Sequence, residues 1–146
     1  MMELTQLNDY IKRLRQEKLN LIILNEDTTL FTSSEEGMKP LIEAINRLGI
    51  SKLEDAIVVD KIVGKAAALL ISYFKAKKIH CIVLSVKGST ILDNNGIKHS
   101  EERLTPEIMN RRGTDLCPFE QAVRDVDDPL KGYERVSTTL KALGIS

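Results

Sequence analysis

The chain of 146 residues has few cysteines, few aromatic residues and no tryptophan. Cys81 and Cys117 are its only cysteines, too few for a disulfide framework, so we expect both thiols to be reduced. No apolar run approaches the roughly 20 residues that a transmembrane helix needs. The acidic, polar N-terminus also lacks the basic and apolar regions of a signal peptide. The sequence therefore predicts a soluble, cytoplasmic protein that does not act at a membrane.

An excess of charge of one sign is also missing. Twenty-one basic residues balance 21 acidic ones, so no overall field attracts nucleic acid or an anionic membrane, and any anion site must be local. The sequence contains no CxxC, no HExxH and no cluster of histidine or cysteine. We therefore expect no nucleic-acid partner, no metal site and no bound cofactor.

What is present indicates one domain spanning residues 1–146. Residues 2–17 carry apolar side chains at helical spacing, and residues 19–24 and 28–32 favour the two strands of a hairpin. A further helical stripe has Pro40 in its first turn. These patterns predict a helix, a hairpin and a second helix in the first third of the chain.

The stretch from Ala56 to Lys78 is the most apolar part of the sequence. An unbroken apolar run closed by Asp60 predicts a strand buried on both faces, and a helical period from Lys61 onward predicts a buried helix. Another apolar run at 79–86 predicts the next strand, with a short strand around 90–92 after it. Because strands and helices alternate, we predict the α/β class.

The last third of the chain has a different pattern. Residues 105–146 are predicted to form a helical C-terminal extension, with helices that begin at Thr105-Pro106, at Asp115 or Cys117, and at Asp128-Pro129. We expect this extension to pack on the sheet or on a second copy of the chain. A homodimer is therefore one prediction.

The order of these elements resembles the cytidine deaminase-like fold over roughly residues 2–110. More specifically, the segments DKIVGKAAALL at 60–70 and DLCPFEQAV at 115–123 resemble DUF1893, a small bacterial and archaeal family of unknown function. The resemblance implies a three-layer α/β/α sandwich with a mixed sheet, followed by C-terminal helices.

The resemblance does not extend to the zinc ligands of these enzymes. Zinc deaminases need a His or Cys followed two residues later by a catalytic Glu at one helix start, and a PCxxC at the next. Along this chain those motifs fall near 36–38 and 63–67, where Met38, Gly64 and Ala67 stand. None of these three can bind zinc or carry a proton, so we do not expect hydrolytic deamination by the usual zinc route.

Asp60, Lys61, Gly64 and Lys65 form the first candidate site. Free N–H groups at a helix start favour negative charge, the lysines add positive charge, and Gly64 permits close approach to the backbone. The pattern predicts a pocket for a small anionic or nucleotide-like molecule. An interpretation of equal weight is that Asp60 caps the helix, Gly64 packs tightly and the lysines are solvated.

Cys117 and Glu120 form the second candidate site. A cysteine in the first turn of a helix can act as a thiolate nucleophile, and Arg111 and Arg112 could assist it or grip an anion. This predicts a metal-free enzyme in which Cys117 is the nucleophile or sulfur carrier and Glu120 or Asp60 shuttles protons. Simple packing of Cys117 is the favoured alternative.

The sequence is compatible with three functions: a ligand-binding module on a deaminase-like scaffold, which we favour, the metal-free enzyme, and an oligomerising interaction protein. The chain has only two histidines, His80 and His99. Neither is predicted to lie near a carboxylate, so we expect structural or surface roles for both.

Overall fold

The computed structural model describes residues 2–110 and 112–145, with side chains from Leu7 onward. The helices within these ranges are α1 (Met2–Gln16), α2 (Lys39–Leu48), α3 (Ile50–Leu53), α4 (Lys65–Tyr73), α5 (Val86–Asn94), α6 (Pro118–Ala122) and α7 (Pro129–Ala142). The strands are β1 (Leu21–Asn25), β2 (Thr28–Ser33), β3 (Ile57–Val63), β4 (Lys78–Ser85) and β5 (Lys98–Thr105). None of the helices described is both long and apolar enough to cross a membrane.

The strands form one mixed sheet in the order β2-β1-β3-β4-β5. β1 is antiparallel to β2 and β3, whereas β3, β4 and β5 are parallel. The predicted hairpin and the α/β class are therefore confirmed. β1, β3 and β4 carry the apolar runs and occupy the interior of the sheet, as expected for strands covered on both faces.

Helices lie against both faces of the sheet. On one face, α1 buries Leu7, Ile11 and Leu14 against Ile22 and Val59. On the other face, neighbouring residues of the same strands enter a larger core beneath α2, α4, α5 and α7. The alternation of side chains along a strand separates these two cores.

Helix α4 lies at the centre of the larger core. Every residue from Lys65 to Ser72 is buried, which confirms the prediction of a buried helix. Helix α7 packs closely against it: a Cβ at Gly132 would lie 2.7 Å from the Cβ of Leu69. Glycine at 132 therefore lets α7 approach α4 closely.

The predicted boundary at Asp60 is wrong. β3 continues through Asp60 to Val63, and α4 begins at Lys65 with Gly64 as its N-cap. The reason is strand pairing: Asp60 is opposite Leu21 on β1 and opposite Cys81 on β4, so the backbone around it already has sheet partners. Asp60 therefore lies inside the strand and does not cap the helix, and Lys61 precedes the helix.

Two further predictions are corrected. Residues 90–92 belong to α5, whose N-cap Ser85 accepts a hydrogen bond from the N–H of Gly88 at 2.9 Å. The polar sequence of residues 98–105 forms the edge strand β5, in place of a helix at Thr105. Helical structure in the C-terminal extension therefore begins at Pro118.

Candidate functional site

A cleft of about 680 Å³ opens beside the end of β3. Its walls come from the segment before α2, the start of α4, residues 108–110, residues 117–120 and the end of α7. Five of the predicted site residues line it: Asp60, Lys61, Gly64, Cys117 and Glu120. The fold thus brings both candidate sites, which are far apart in sequence, to one cleft.

The side chain of Glu120, on α6, contacts the first turn of α4. Its Oε1 accepts the N–H of Lys65 at 2.8 Å, and its Oε2 accepts the N–H of Ala66 at 2.7 Å. Burial raises the pKa of this carboxyl, and the two backbone hydrogen bonds and the nearby Lys65 oppose that shift. The negative charge predicted at this helix start is therefore supplied by the chain itself.

Lys65 is buried and held by other parts of the chain. Its Nζ lies 3.0 Å from Asp127 Oδ1 and donates to the carbonyl of Arg124 at 3.1 Å. Both partners belong to the connection between α6 and α7. Lys65 does not line the cleft. Its ammonium group contacts other parts of the chain, and the ligand-binding role predicted for it stays a prediction.

Gly64, just before α4, is in close contact with the segments that carry Ile108 and Glu120. A Cβ at this position would lie 2.7 Å from Cδ of Glu120 and 2.8 Å from Cγ1 of Ile108. Such distances require the neighbours to move. The close approach predicted at Gly64 is confirmed, and the approaching group is a side chain of the same protein.

Asp60 lies on the cleft wall and is partly buried. Burial raises its pKa from 3.8 to about 7, against the effect of hydrogen bonds from the backbone N–H groups of Lys61 and Ile62. Burial, with the charges of Asp60 and Glu101, also raises the pKa of the Cys81 thiol on β4. Within residues 7–110 and 112–145, no ion pair involves Asp60.

Cys117 is the N-cap of α6 and a free, partly buried thiol. Its backbone N–H donates to the carbonyl of Ile108 at 3.0 Å, which fixes the start of α6 against the cleft. Glu120, its predicted proton shuttle, is bonded to α4. Arg112 is exposed and is not part of the cleft wall, and Arg111 lies outside the described residues.

The positions that the resemblance assigns to zinc motifs also line this cleft. Met38 is the N-cap of α2 and Gly64 the N-cap of α4. Glu36 and Ala67 face the same space. Among the described side chains, no group of three or more His, Cys, Asp or Glu residues could hold a metal ion.

Sequence reasoning missed two amides of the cleft, Asn20 and Asn110. The carbonyl of Asn20 accepts the N–H of Lys61 at 3.2 Å, and Asn110 organises a tight turn by accepting the N–H of Thr114 at 3.1 Å. An asparagine beside a glycine-containing turn is an ordinary turn signal, so Asn110 could be placed in a turn but not at the cleft.

The expectation that His99 lies away from carboxylates is wrong, whereas the structural or surface role expected for it stays a prediction. Its Nδ1 lies 2.7 Å from Glu101 Oε1 and its Nε2 lies 2.9 Å from Asp93 Oδ1. Burial opposes protonation of His99, but these two carboxylates outweigh it and raise the pKa. His80 is buried on the other side of the sheet, with its ring 5.2 Å from that of Tyr10.

Comparison with known proteins identifies relatives but no activity. A family model described as a domain of unknown function (DUF1893) matches residues 9–140. The crystal structure of a DUF1893 family protein (TM1506) from Thermotoga maritima is similar, with a TM-score of 0.79 and 29% sequence identity over 90% of this chain and 88% of that chain. No curated protein matches the chain. Both segments that carry the resemblance, 60–70 and 115–123, fall within the matched range.

Proposed function

Since the chain belongs to the DUF1893 family, whose function is unknown, we propose that it binds a small molecule in the cleft beside Asp60, on a deaminase-like body and without zinc-dependent hydrolysis. The observation that carries this proposal is the convergence of two separate sequence segments on one cleft with a partly buried carboxyl on its wall. Carboxyl groups with a shifted pKa in a concave site are common where proteins bind or transform ligands.

Two features support the deaminase-like part of the proposal. The starts of α2 and α4 face the same space, as the two halves of a metal site would have to do. Helices against both faces of the mixed sheet are consistent with a three-layer arrangement. Met38, Gly64 and Ala67 at these positions supply no thiolate, imidazole or carboxylate, which is why the proposal excludes the zinc route.

The size and lining of the cleft support a compact ligand with an apolar ring and polar edges. A volume of about 680 Å³ lies within the roughly 300–1,000 Å³ of typical small-molecule sites. Leu41 and Phe119 are apolar residues of its lining, and Asn20 and Asn110 are amide residues that line the same cleft. A nucleoside-like molecule has this combination of a planar ring and hydrogen-bonding groups.

A pair of matched variants tests whether binding occurs in the cleft. Ile62 and Ile50 are both exposed isoleucines, but only Ile62 lines the cleft. We expect a thermal-shift screen of nucleosides and small metabolites to find compounds that stabilise the wild type and Ile50→Trp equally. Ile62→Trp places a larger side chain at the cleft and should reduce the affinity for those compounds at least about tenfold. A screen without hits, or equal binding by both variants, would contradict the proposal.

The metal-free enzyme remains the second candidate, because Cys117 and Asp60 line the same cleft. If Cys117 is an activated nucleophile, iodoacetamide should modify it near pH 7 faster than it modifies a thiol in an unstructured peptide. A rate equal to that of the peptide would remove this candidate. The oligomer also remains a prediction, which light scattering tests directly.

A further inference from the structure

The charges on the cleft wall point to a class of ligand, an inference that rests on the proposed binding function. Among the described residues that line the cleft, four are acidic and two are basic: Glu35, Glu36, Asp60 and Glu120 against Lys39 and Lys61. An anionic ligand would therefore enter a space that already carries more negative than positive groups.

Some of these charged groups already have partners within the chain. Glu120 is bonded to the first turn of α4. Lys39 Nζ lies 3.7 Å from Glu35 Oε1 and 3.8 Å from Glu43 Oε1, so two carboxylates share it. The most buried carboxyl left on the wall, Asp60, receives hydrogen bonds from backbone N–H groups, and no described side chain neutralises it.

We propose that the ligand presents a cationic nitrogen, such as an ammonium or amidinium group, to the carboxylate of Asp60, with its apolar part against Leu41 and Phe119. A charge-assisted N–H···O bond is stronger than a neutral one, and its benefit is largest where the carboxylate has been removed from water. Neither a neutral hydroxyl nor an anion offers Asp60 this compensation.

The ionisation of Asp60 gives the proposal a pH signature. The charged or titratable groups around it are Lys61 on its own strand, Cys81 on β4, Glu120 on α6, and Glu36 and Lys39 before and at the start of α2. The pKa of Asp60 is about 7, because burial disfavours its charged form. Since only the ionised form pairs with a cation, affinity should rise about tenfold from pH 6 to pH 8.

Three probes with the same benzene ring but different charge show how charge affects binding: benzylamine, benzyl alcohol and benzoate. Their binding is measured at pH 8 from the chemical shifts of backbone amides, which also show whether each variant is folded. In the wild type we expect benzylamine to bind at least about fivefold more tightly than benzyl alcohol, and benzoate to bind least. Asp60→Asn should remove the preference for the amine. Asp9→Asn, the same change at an exposed position on α1, should retain it.

The outcomes distinguish this inference from the proposed function. Equal binding of amine and alcohol, tightest binding of benzoate, or an unchanged preference in Asp60→Asn would overturn the cationic ligand and leave the cleft as a binding site. Failure of all three probes to shift any amide of the cleft would overturn both.

Discussion

Two carboxyls that line the cleft, the buried Glu120 and the partly buried Asp60, differ in the partners that the chain gives them. Glu120 accepts two N–H groups from the first turn of α4 and lies near Lys65. Asp60 accepts N–H groups from its own strand and otherwise faces the cleft. Burial raises the pKa of both. The comparison teaches that a shifted pKa does not identify a functional group by itself. The partners that the chain provides, or leaves to a ligand, make that distinction.

The same comparison explains why the two family segments occur together in one chain. The segment at 115–123 places Phe119 in the core and Glu120 on the backbone of residues 65 and 66. The segment at 60–70 provides Gly64, which leaves room for Glu120. They are two halves of one contact, and that contact forms one side of the cleft.

The largest effect should follow removal of Glu120. Glu120→Ala leaves two buried N–H groups at the start of α4 without an acceptor, so we expect a loss of about 3 kcal/mol in the free energy of unfolding. Glu120→Gln keeps one acceptor oxygen and should cost less. Urea denaturation measures both.

Glu107→Ala is the matched control for charge, because Glu107 is exposed and its Lys87 partner lies 3.8 Å away. It should change stability by less than about 0.5 kcal/mol. A similar loss in Glu107→Ala and Glu120→Ala would mean that the carboxylate of Glu120 has no special role at α4.

A smaller loss, about 2 kcal/mol, is expected for Gly64→Ala. The new methyl group would meet the side chains of Glu120 and Ile108, and overpacking of this kind typically costs about 1–3 kcal/mol. The double variant Gly64→Ala/Glu120→Ala tests whether the two residues act through the same contact. Since one of the two obstacles is then gone, Gly64→Ala should cost less in that background. Strictly additive losses would show that Gly64 and Glu120 do not act through one contact.

The sequence predicts most of the fold because the relevant signals are local. The hairpin, the buried α4 and the amphipathic α1 follow from apolar periods of two and 3.6 residues. The end of β3 and the edge strand β5 do not follow, because pairing with neighbouring strands decides them. Asp60 resembles a cap in sequence, but its backbone is already paired on both sides.

The sequence singles out five of the residues that line the cleft, but not the contacts that they make. Helix-start chemistry indicates that the first turn of α4 attracts a hydrogen-bond acceptor, but no local pattern shows that Glu120, more than 50 residues away in the chain, supplies it. The burial of Lys65 against Asp127 is equally non-local. Asn20 carries no signal at all, because its place at the cleft depends on the pairing of β1 with β3.

Asp60→Asn should have an effect of opposite sign. An acid whose pKa is raised in the folded state makes folding less favourable as pH rises, here from near 4, where the unfolded chain ionises, to about 7. Asparagine removes that cost, so the variant should gain about 1–2 kcal/mol at pH 8 and nothing at pH 4, with screening by water in the open cleft limiting the gain.

The measurement is the difference in the free energy of unfolding between Asp60→Asn and wild type across this pH range. Glu120 and His99, whose pKa values are also raised, titrate in both proteins and cancel in that difference. A loss of stability at pH 8 would show that the Asp60 carboxylate has a partner within the chain, as Glu120 does, and the contrast between the two carboxyls would fail.

The smallest effect should come from Asp127→Asn. Its carboxylate is 85% exposed although its partner Lys65 is buried, so water screens the pair and Lys65 keeps the carbonyl of Arg124 as an acceptor. We expect a loss of less than about 1 kcal/mol, reduced further by 0.5 M salt. A loss as large as that of Glu120→Ala would mean that the ion pair, rather than the backbone hydrogen bonds of Glu120, holds the start of α4 in place. Lys65, rather than Glu120, would then be the residue that stabilises the start of α4.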